Sequence, residues 1–303
     1  MSDEAPNYSA VPNSAVPIRE VSRLTGVNTV TLRAWERRHG LLKPLRTIKG
    51  HRLYSSADIK KVRDIQEWLA RGLAIGKVKD ILVADAKQPL GIAVDNPWPE
   101  HINQMDMALA QLNRSSLERL FRELITLYPI EILADRLLSP LVDRLQWQRQ
   151  FGSVAKLAFL QNIIREHFLA GQYRTNGRAT SGRLLIVKLN SEDNDILPLM
   201  LNYSLLVATH QSEYLGYVPK AELIFAAEQM CADAIVLYGD SVSATSGLRE
   251  RLEDWRKAFP VPLFLVGKIV AVCAAHASSE QKYFVCAETQ QTAVAAIRKM
   301  LLG

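Results

Sequence analysis

The first eighty residues alternate between short apolar stripes at helical spacing and punctuating glycines. Ile18, Val21 and Leu24 fall on one helical face, Pro17 suits an early helix position, and Gly26 marks a sharp turn. Asn28 is a good N-cap for a second helix over Thr29 to Arg38, which Gly40 ends. Two short helices around a glycine turn define a helix-turn-helix pattern. Lys43 to Arg46 and His51 to Tyr54 predict a small hairpin around Ile48, Lys49 and Gly50. A third helix starts near Ser56 with Ile59, Val62, Ile65, Trp68 and Leu69 on one face. Gly72 ends it, and Ile75 to Leu82 predicts a fourth.

Farther on, four longer helical patterns cover about Ile102 to Leu112, Ser115 to Tyr128, Ile130 to Gln150 and Ser153 to Tyr173. Ser115 with Glu118 three residues later predicts a capping box. Four such helices in succession predict a bundle. The pattern then changes to apolar runs alternating with helices. Strands are expected over Arg183 to Leu189, Gln211 to Leu215, Ala234 to Tyr238, Val261 to Val266 and Tyr283 to Val285. Helices are expected near Ile196 to Ala208, Pro219 to Cys231, Leu248 to Ala258 and Thr289 to Leu302. That alternation implies a parallel, doubly wound, Rossmann-like sheet. The fold class is therefore multidomain α and α/β. It comprises a disordered leader (1–16), a winged helix-turn-helix head (17–84), a Pro-rich linker (85–100), a helical bundle (101–176) and an α/β domain (182–303).

Charge sharpens the picture. Residues 1–85 hold 15 Lys or Arg against 9 Asp or Glu, and residues 86–303 hold 22 of each. The whole formal excess of +6 therefore belongs to the first quarter. Between Arg33 and Arg52 stand seven cations and one acid, Glu36. Such a density beside a helix-turn-helix suits a phosphate backbone, so duplex DNA is the first candidate ligand. In that arrangement the N-terminal part of the second helix meets base edges. Thr29, Thr31 and Arg33 are expected there, with Thr31 on phosphate or a thymine methyl and Arg33 on guanine or phosphate. Val30 and Ala34 are expected to face the core. Arg37, Arg38, Lys43, Arg46, His51, Arg52 and Tyr54 complete the candidate DNA-binding set. Trp35 is expected between helix and wing, and Glu36 beside a neighbouring Arg.

Other chemistry is sparse. Cys231, Cys273 and Cys286 are too few and scattered for a disulfide framework or metal cluster, which fits a reducing cytoplasm. No apolar run approaches the ~20 residues of a membrane helix. No Gly-rich phosphate loop follows the first α/β strand and no Gly-x-Ser-x-Gly is present, so an enzyme is not expected. Asp193 and Asp195 read as a solvated loop.

The run Thr31-Leu-Arg-Ala-Trp-Glu-Arg-Arg-His-Gly-Leu-Leu-Lys-Pro-Leu-Arg46, followed by Gly50-His-Arg-Leu-Tyr54 and Asp58-Ile59, resembles the MerR family of transcription regulators. Ala34-Trp35 in place of the family's Tyr-Tyr, and His51 in place of Tyr, place it near the branch carrying Arg-Ala-Trp-Glu-Arg-Arg. The resemblance implies a cytoplasmic, nucleoid-associated homodimer on a near-palindromic promoter, distorting the DNA for RNA polymerase, hence an activator. Many relatives dimerise through a long coiled coil after the head. This sequence has no sustained heptad after Leu82, so dimer contacts are expected elsewhere.

The region from about Ile102 to Met300 resembles the cobalamin-binding module of corrinoid proteins. The best local piece is Tyr214-Leu-Gly-Tyr-Val-Pro-Lys-Ala-Glu-Leu-Ile-Phe-Ala-Ala-Glu228. The family's Asp/Glu-x-His-x-x-Gly motif reads here Glu192-Asp-Asn194-Asp-Ile-Leu197, with Asn for the cobalt-binding His and Leu for Gly. An amide is a poor cobalt ligand, and leucine adds bulk where the corrin would approach. Glu166-His167 matches the end of the bundle motif Trp-x9-Glu-His, but Lys156 stands where the Trp belongs. The expectation is a cobalamin-type fold without its cofactor, His167 being a packed helical histidine and the region open to another small-molecule or protein effector. A cobalamin-dependent light or cofactor sensor on the same head is the alternative.

Overall fold

The computed structural model describes residues 15–83, 96–148, 151–172, 182–209, 211–240, 247–275 and 284–302. The chain divides into two compact units, residues 1–96 and 97–303.

In the first unit, β1 (Val16–Pro17) precedes α1 (Ile18–Thr25) and α2 (Thr29–Arg37). Strands β2 (Leu45–Arg46) and β3 (Arg52–Tyr54) follow, then α3 (Ser56–Ala70) and α4 (Ile75–Val83). The three strands form an antiparallel sheet in the order β1-β3-β2, with Val16 opposite Tyr54 and Leu45 opposite Leu53. Ser55 caps α3 with a reciprocal Asp58 pair, so the helix begins where the Ser-Ala-Asp run predicted. The core is formed by Val21, Leu32, Trp35, Leu41, Leu42, Tyr54, Val62, Ile65 and Leu69. The expected leader is corrected at its end. Val16 and Pro17 form an edge strand that pairs with the backbone edge of β3 left open by β2. The rest of that leader, and the centre of the expected linker, lie outside the described residues.

The second unit begins with α5 (Trp98–Ala110), α6 (Arg114–Leu127), α7 (Ile130–Leu133), α8 (Ser139–Gln148) and α9 (Ser153–Gln172). Helix α5 starts inside the expected linker. Pro99 sits in its first turn, where a missing N–H is harmless, and Trp98 is buried with its ring 4.7 Å from that of Tyr128. Asn113, rather than Ser115, caps α6 by accepting from the Ser116 N–H at 3.1 Å. The third predicted helix is broken. A π-helical segment, Ala134–Leu138, separates α7 from α8, and the Ser139 N–H reaches back to the Ala134 carbonyl. Pro140, at the start of α8, lacks the N–H that a regular ladder needs, which explains the altered register.

The same unit continues as β4 (Leu184–Lys188), α10 (Ile196–Thr209), β5 (Ser212–Tyr214), α11 (Lys220–Gln229), β6 (Ala234–Tyr238), α12 (Leu248–Ala258), β7 (Leu263–Val266), α13 (Ile269–Ala275), β8 (Phe284–Ala287) and α14 (Gln290–Leu302). The sheet is parallel, with order β5-β4-β6-β7-β8. Leu185, Val187, Ile235, Leu237, Leu263 and Leu265 face α11, α12 and α13 on one side. On the other side α10 packs against α14, and both meet the bundle through α7 and the π segment. Asp135 in that segment accepts the Gln290 and Gln291 N–H groups at 2.8 and 3.1 Å, capping α14 from the bundle. Helix α13 was not anticipated. Its seven residues are too few for a helical period to stand out against the flanking apolar sequence.

Candidate nucleic-acid interface

The head assembles its outward surface from local hydrogen bonds. Gly26 closes α1 at φ 77°, a left-handed conformation that glycine adopts without a Cβ penalty. The Asn28 side chain accepts from the Val30 N–H at 2.9 Å and so starts α2. From α3, Gln66 donates to the Thr25 carbonyl at 3.1 Å and fastens the turn from behind. Helix α2 then buries Thr31, Leu32, Ala34 and Trp35 and leaves Val30, Arg33 and Arg37 exposed. Thr29 and Glu36, half-buried, flank that exposed stripe.

The hairpin β2–β3 is tied to α2 through one acid. Glu36 accepts from Arg52 Nε at 2.5 Å and from Arg46 Nη2 at 2.8 Å. The Arg52 and Glu36 side chains are only 13% and 14% exposed, against 52% for Arg46. Burial by itself would raise the Glu36 carboxyl's pKa, but the two guanidiniums outweigh it and hold the group below its ordinary value. Arg52 is therefore largely neutralised and screened, and it positions the wing rather than presenting a free charge. Gly50, at φ 78°, lets the tip turn, and Ile48 projects there 91% exposed beside Lys49. Tyr54 is fully buried. Its hydroxyl, pushed up to about 12 by burial and then by the Glu36 charge, has no hydrogen-bond partner among the described residues.

The structure thus sorts the sequence-predicted residues. Arg33, Arg37, Arg38, Lys43, Arg46 and His51 are exposed on the head, and Thr29 is half-exposed at the start of α2. Thr31, 1% exposed on the inner face of α2, and Tyr54, on the central strand of the small sheet, are corrected to core residues. Val30 is corrected the other way: expected inside, it is 50% exposed. Sequence reasoning missed Val30 and Ile48 as surface groups. Val30 carried no sufficient sequence signal: only once Thr31 and Trp35 are known to be buried do residues 30, 33 and 37 fall together on the outer arc of α2.

In the second unit the loop after β4 is packed with its own polar partners. Asp195 accepts from Tyr214 at 2.7 Å, Gln161 at 2.9 Å and Arg165 at 3.2 Å, and pairs with Lys188 at 2.8 Å. The expected solvated loop is thus a bridge between α9, β4 and β5, with Asp193 also buried. Asn194 accepts from the Ile196 N–H at 3.0 Å and starts α10. Leu197 is buried, and its carbonyl accepts from Gln290. His167 stands edge-on to Phe121 at 5.3 Å, and its pKa is lowered by burial, then by nearby Arg122. Residues 192–197 supply no imidazole, and Asn194 is already engaged as a cap. The donor set there does not fit the lower side of a corrin. No group of three or more His, Cys, Asp or Glu that could hold a metal occurs among the described residues. No helix among them is long and apolar enough to cross a membrane.

A small basic head with a glycine turn, an outward helix and a hairpin wing defines the winged helix-turn-helix class. Residues 16–85 match the MerR HTH family regulatory protein profile. The chain is 36% identical over 179 residues to the HTH-type transcriptional regulator MlrA of Escherichia coli (strain K12), covering 58% of this chain and 70% of that protein. It belongs to the MerR family. The match to MlrA of Salmonella typhimurium (strain LT2) is 42% identical over 148 residues, or 48% of this chain. There the chain spans 58% of the relative's length. The HTH-type transcriptional repressor CarA of Myxococcus xanthus is 27% identical over 263 residues, covering 82% of this chain and 85% of CarA. Among solved structures, a novel cobalamin-binding protein from Desulfitobacterium hafniense DCB-2 matches at 13% identity and a TM-score of 0.32. That match covers 67% of this chain and 91% of the other.

Proposed function

We propose that the protein is a DNA-binding transcription regulator whose head grips duplex promoter DNA. The reading rests on the exposed stripe of α2, where Arg33 and Arg37 face outward together beside a wing carrying Lys43, Arg46, Lys49 and His51. Guanidiniums on such a helix reach guanine edges and phosphates, while the wing cations follow the adjoining backbone. One head presents one recognition helix, so two copies are needed to span a near-palindromic site. Bending or untwisting of the DNA between two bound heads is the route by which such a dimer activates RNA polymerase, with part of the specificity coming from deformation. The repressor description of CarA makes the opposite sign of regulation the alternative outcome of a promoter-reporter assay. No catalytic role is proposed. Cellular placement beside the nucleoid follows from the same reading.

The test is salt titration of binding to genomic fragments recovered with the full chain. Log affinity is expected to fall linearly with log salt, at about −0.9 per phosphate neutralised. With six exposed Lys or Arg between Arg33 and Arg52 in each head, the slope of a dimer is expected to lie between about −5 and −10. Affinity indifferent to salt would overturn the reading.

A second reading, a cobalamin-dependent regulator, is favoured by two observations. The sheet has a switch point between β4 and β6, and His167 places an imidazole on α9 of the bundle. Against it stand Asn194 and Leu197. Cobalamin is therefore kept for test rather than set aside. After incubation with adenosylcobalamin and gel filtration, the visible absorbance of the eluted protein decides between the two, and colourless protein would leave an effector of another kind. Retained colour that is lost on His167→Ala would install the cobalamin reading in place of an effector of another kind.

A further inference from the structure

We infer that Val30 is a specificity-determining residue that reads the 5-methyl group of a thymine in the major groove. The inference rests on the DNA-binding reading above and names one of the bases that this surface recognises. Val30 is the second residue of α2, at the end of a recognition helix that meets base edges. It is 50% exposed, whereas Thr31, Leu32, Ala34 and Trp35 on the opposite arc are 6% exposed or less. Its backbone N–H donates to the Asn28 side chain at 2.9 Å, which fixes the residue in the first turn of the helix. Arg33 and Arg37, one and two turns along, continue the same stripe.

The chemistry of that position is unlike its surroundings. A branched apolar side chain stands at the leading end of a row of guanidiniums, where a phosphate contact would call for a donor. Valine donates no hydrogen bond and carries no charge, so it adds nothing to backbone binding. The thymine 5-methyl is the apolar group that a base edge displays in the major groove, and contact with it distinguishes T·A from the other pairs. The β-branched side chain has few rotamers, so little freedom is lost on contact. Arg33, one turn farther along, would then read a neighbouring guanine or anchor a phosphate, and the two side chains together define a short apolar-then-polar base step. Thr31, whose methyl the sequence would have offered for this role, is enclosed in the head core and cannot reach a base.

The experiment uses the full chain and the shortest genomic duplex it retains at moderate salt. Each thymine is replaced singly by deoxyuridine, which removes the methyl and preserves the hydrogen-bonding edge. Binding is measured by fluorescence anisotropy for the wild type, Val30→Ala and Val30→Ile. At one position in each half-site the wild type is expected to lose about fivefold on methyl removal, the scale of burying one methyl-sized apolar group. Val30→Ala is expected to bind the thymine duplex as weakly as the wild type binds the uridine duplex, and to be blind to that substitution. Val30→Ile keeps the methyl dependence. Identical uridine profiles for the wild type and Val30→Ala, with salt-dependent binding intact, would overturn the inference and leave the DNA-binding reading standing. Absence of salt-dependent binding by the wild type itself would instead remove the reading on which the inference rests. Unchanged melting temperatures of the variants confirm that an exposed position, not the fold, was altered.

Discussion

Replacing Trp35 by alanine is expected to unfold the N-terminal unit and abolish DNA binding while leaving the second unit folded. Trp35 is fully buried and heads the largest completely enclosed side chains of the chain. It lies on the inner face of α2, and its carbonyl accepts the Leu41 N–H at 2.9 Å, where the chain leaves the helix toward the wing. Removing a buried tryptophan costs about 3–5 kcal/mol in transfer and cavity terms. A unit of this size holds roughly 5 kcal/mol in total, because small domains bury a smaller fraction of their surface. The loss is therefore comparable to the whole stability of the head. Circular dichroism on the full chain should show a depleted helical signal at room temperature and a surviving transition from the second unit. Trp147→Ala supplies the contrast. That ring is 83% exposed, and its removal should shift stability by no more than about 0.5 kcal/mol. A Trp35→Ala protein that melts like the wild type would show that the core assignment of α2 is wrong, and with it the outward placement of residues 30, 33 and 37.

The second large effect is on binding rather than folding. Arg33→Ala is expected to weaken operator affinity about 10- to 100-fold, the value of one good bidentate contact of about 1–3 kcal/mol. Its exposure at the second turn of α2 means the fold does not depend on it. If Arg33 meets a base, the variant relaxes preference at one position. If it meets a phosphate, affinity falls on all sequences and the salt slope shrinks by about one. Arg52→Ala should behave differently although the residue is equally basic. Its guanidinium is already held by Glu36 and mostly screened. Its loss removes one of the two ties between wing and α2 and leaves a half-buried carboxylate with Arg46 as its remaining guanidinium partner. The expected signature is a lower melting temperature of the head together with weaker binding, and a salt slope close to that of the wild type. Quantitative binding at four or more salt concentrations separates the two residues. Equal slopes for Arg33→Ala and the wild type, with equal affinity, would remove Arg33 from the interface.

Much of the head could be read in advance because its signals are local. Gly26, Asn28 and Gly50 act through conformations and caps settled within a few residues, and the Ser55–Asp58 box needs no tertiary information. Apolar runs were likewise enough to anticipate the three central strands β4, β6 and β7 with most of their residues, since a strand covered on both faces must be largely apolar. The last strand was less sharply marked. Phe284–Ala287 sits at the sheet edge with exposed Val285 and Cys286, so its pattern is diluted.

The candidate site was half legible. Which residues are basic is written in the chain, but their availability is not. Glu36 reaches Arg46 and Arg52, ten and sixteen residues away, only after the wing folds back on α2. Thr31 and Val30 exchange roles through the rotation of a single helix, and a nine-residue helix carries too few apolar positions to fix that rotation from sequence. The loop with Asp193 and Asp195 reads as polar and solvated. It becomes an internal bridge because α9 brings Gln161 and Arg165 to it across 34 and 30 positions of sequence.

Composition, periodicity and capping by themselves determined the succession of head, bundle and α/β sheet and the concentration of positive charge in the first quarter, while the ordered motif from Thr31 to Tyr54 carried the resemblance to the family of the head. These are properties of neighbouring residues, and neighbours interact whatever the rest of the chain does. The tertiary structure alone decided which cations stay free, which of two adjacent side chains on α2 looks outward, and how bundle and sheet are joined through Asp135 and Asp195. Those outcomes depend on contacts between residues far apart in the chain, where burial and pairing compete and only the folded geometry sets the winner.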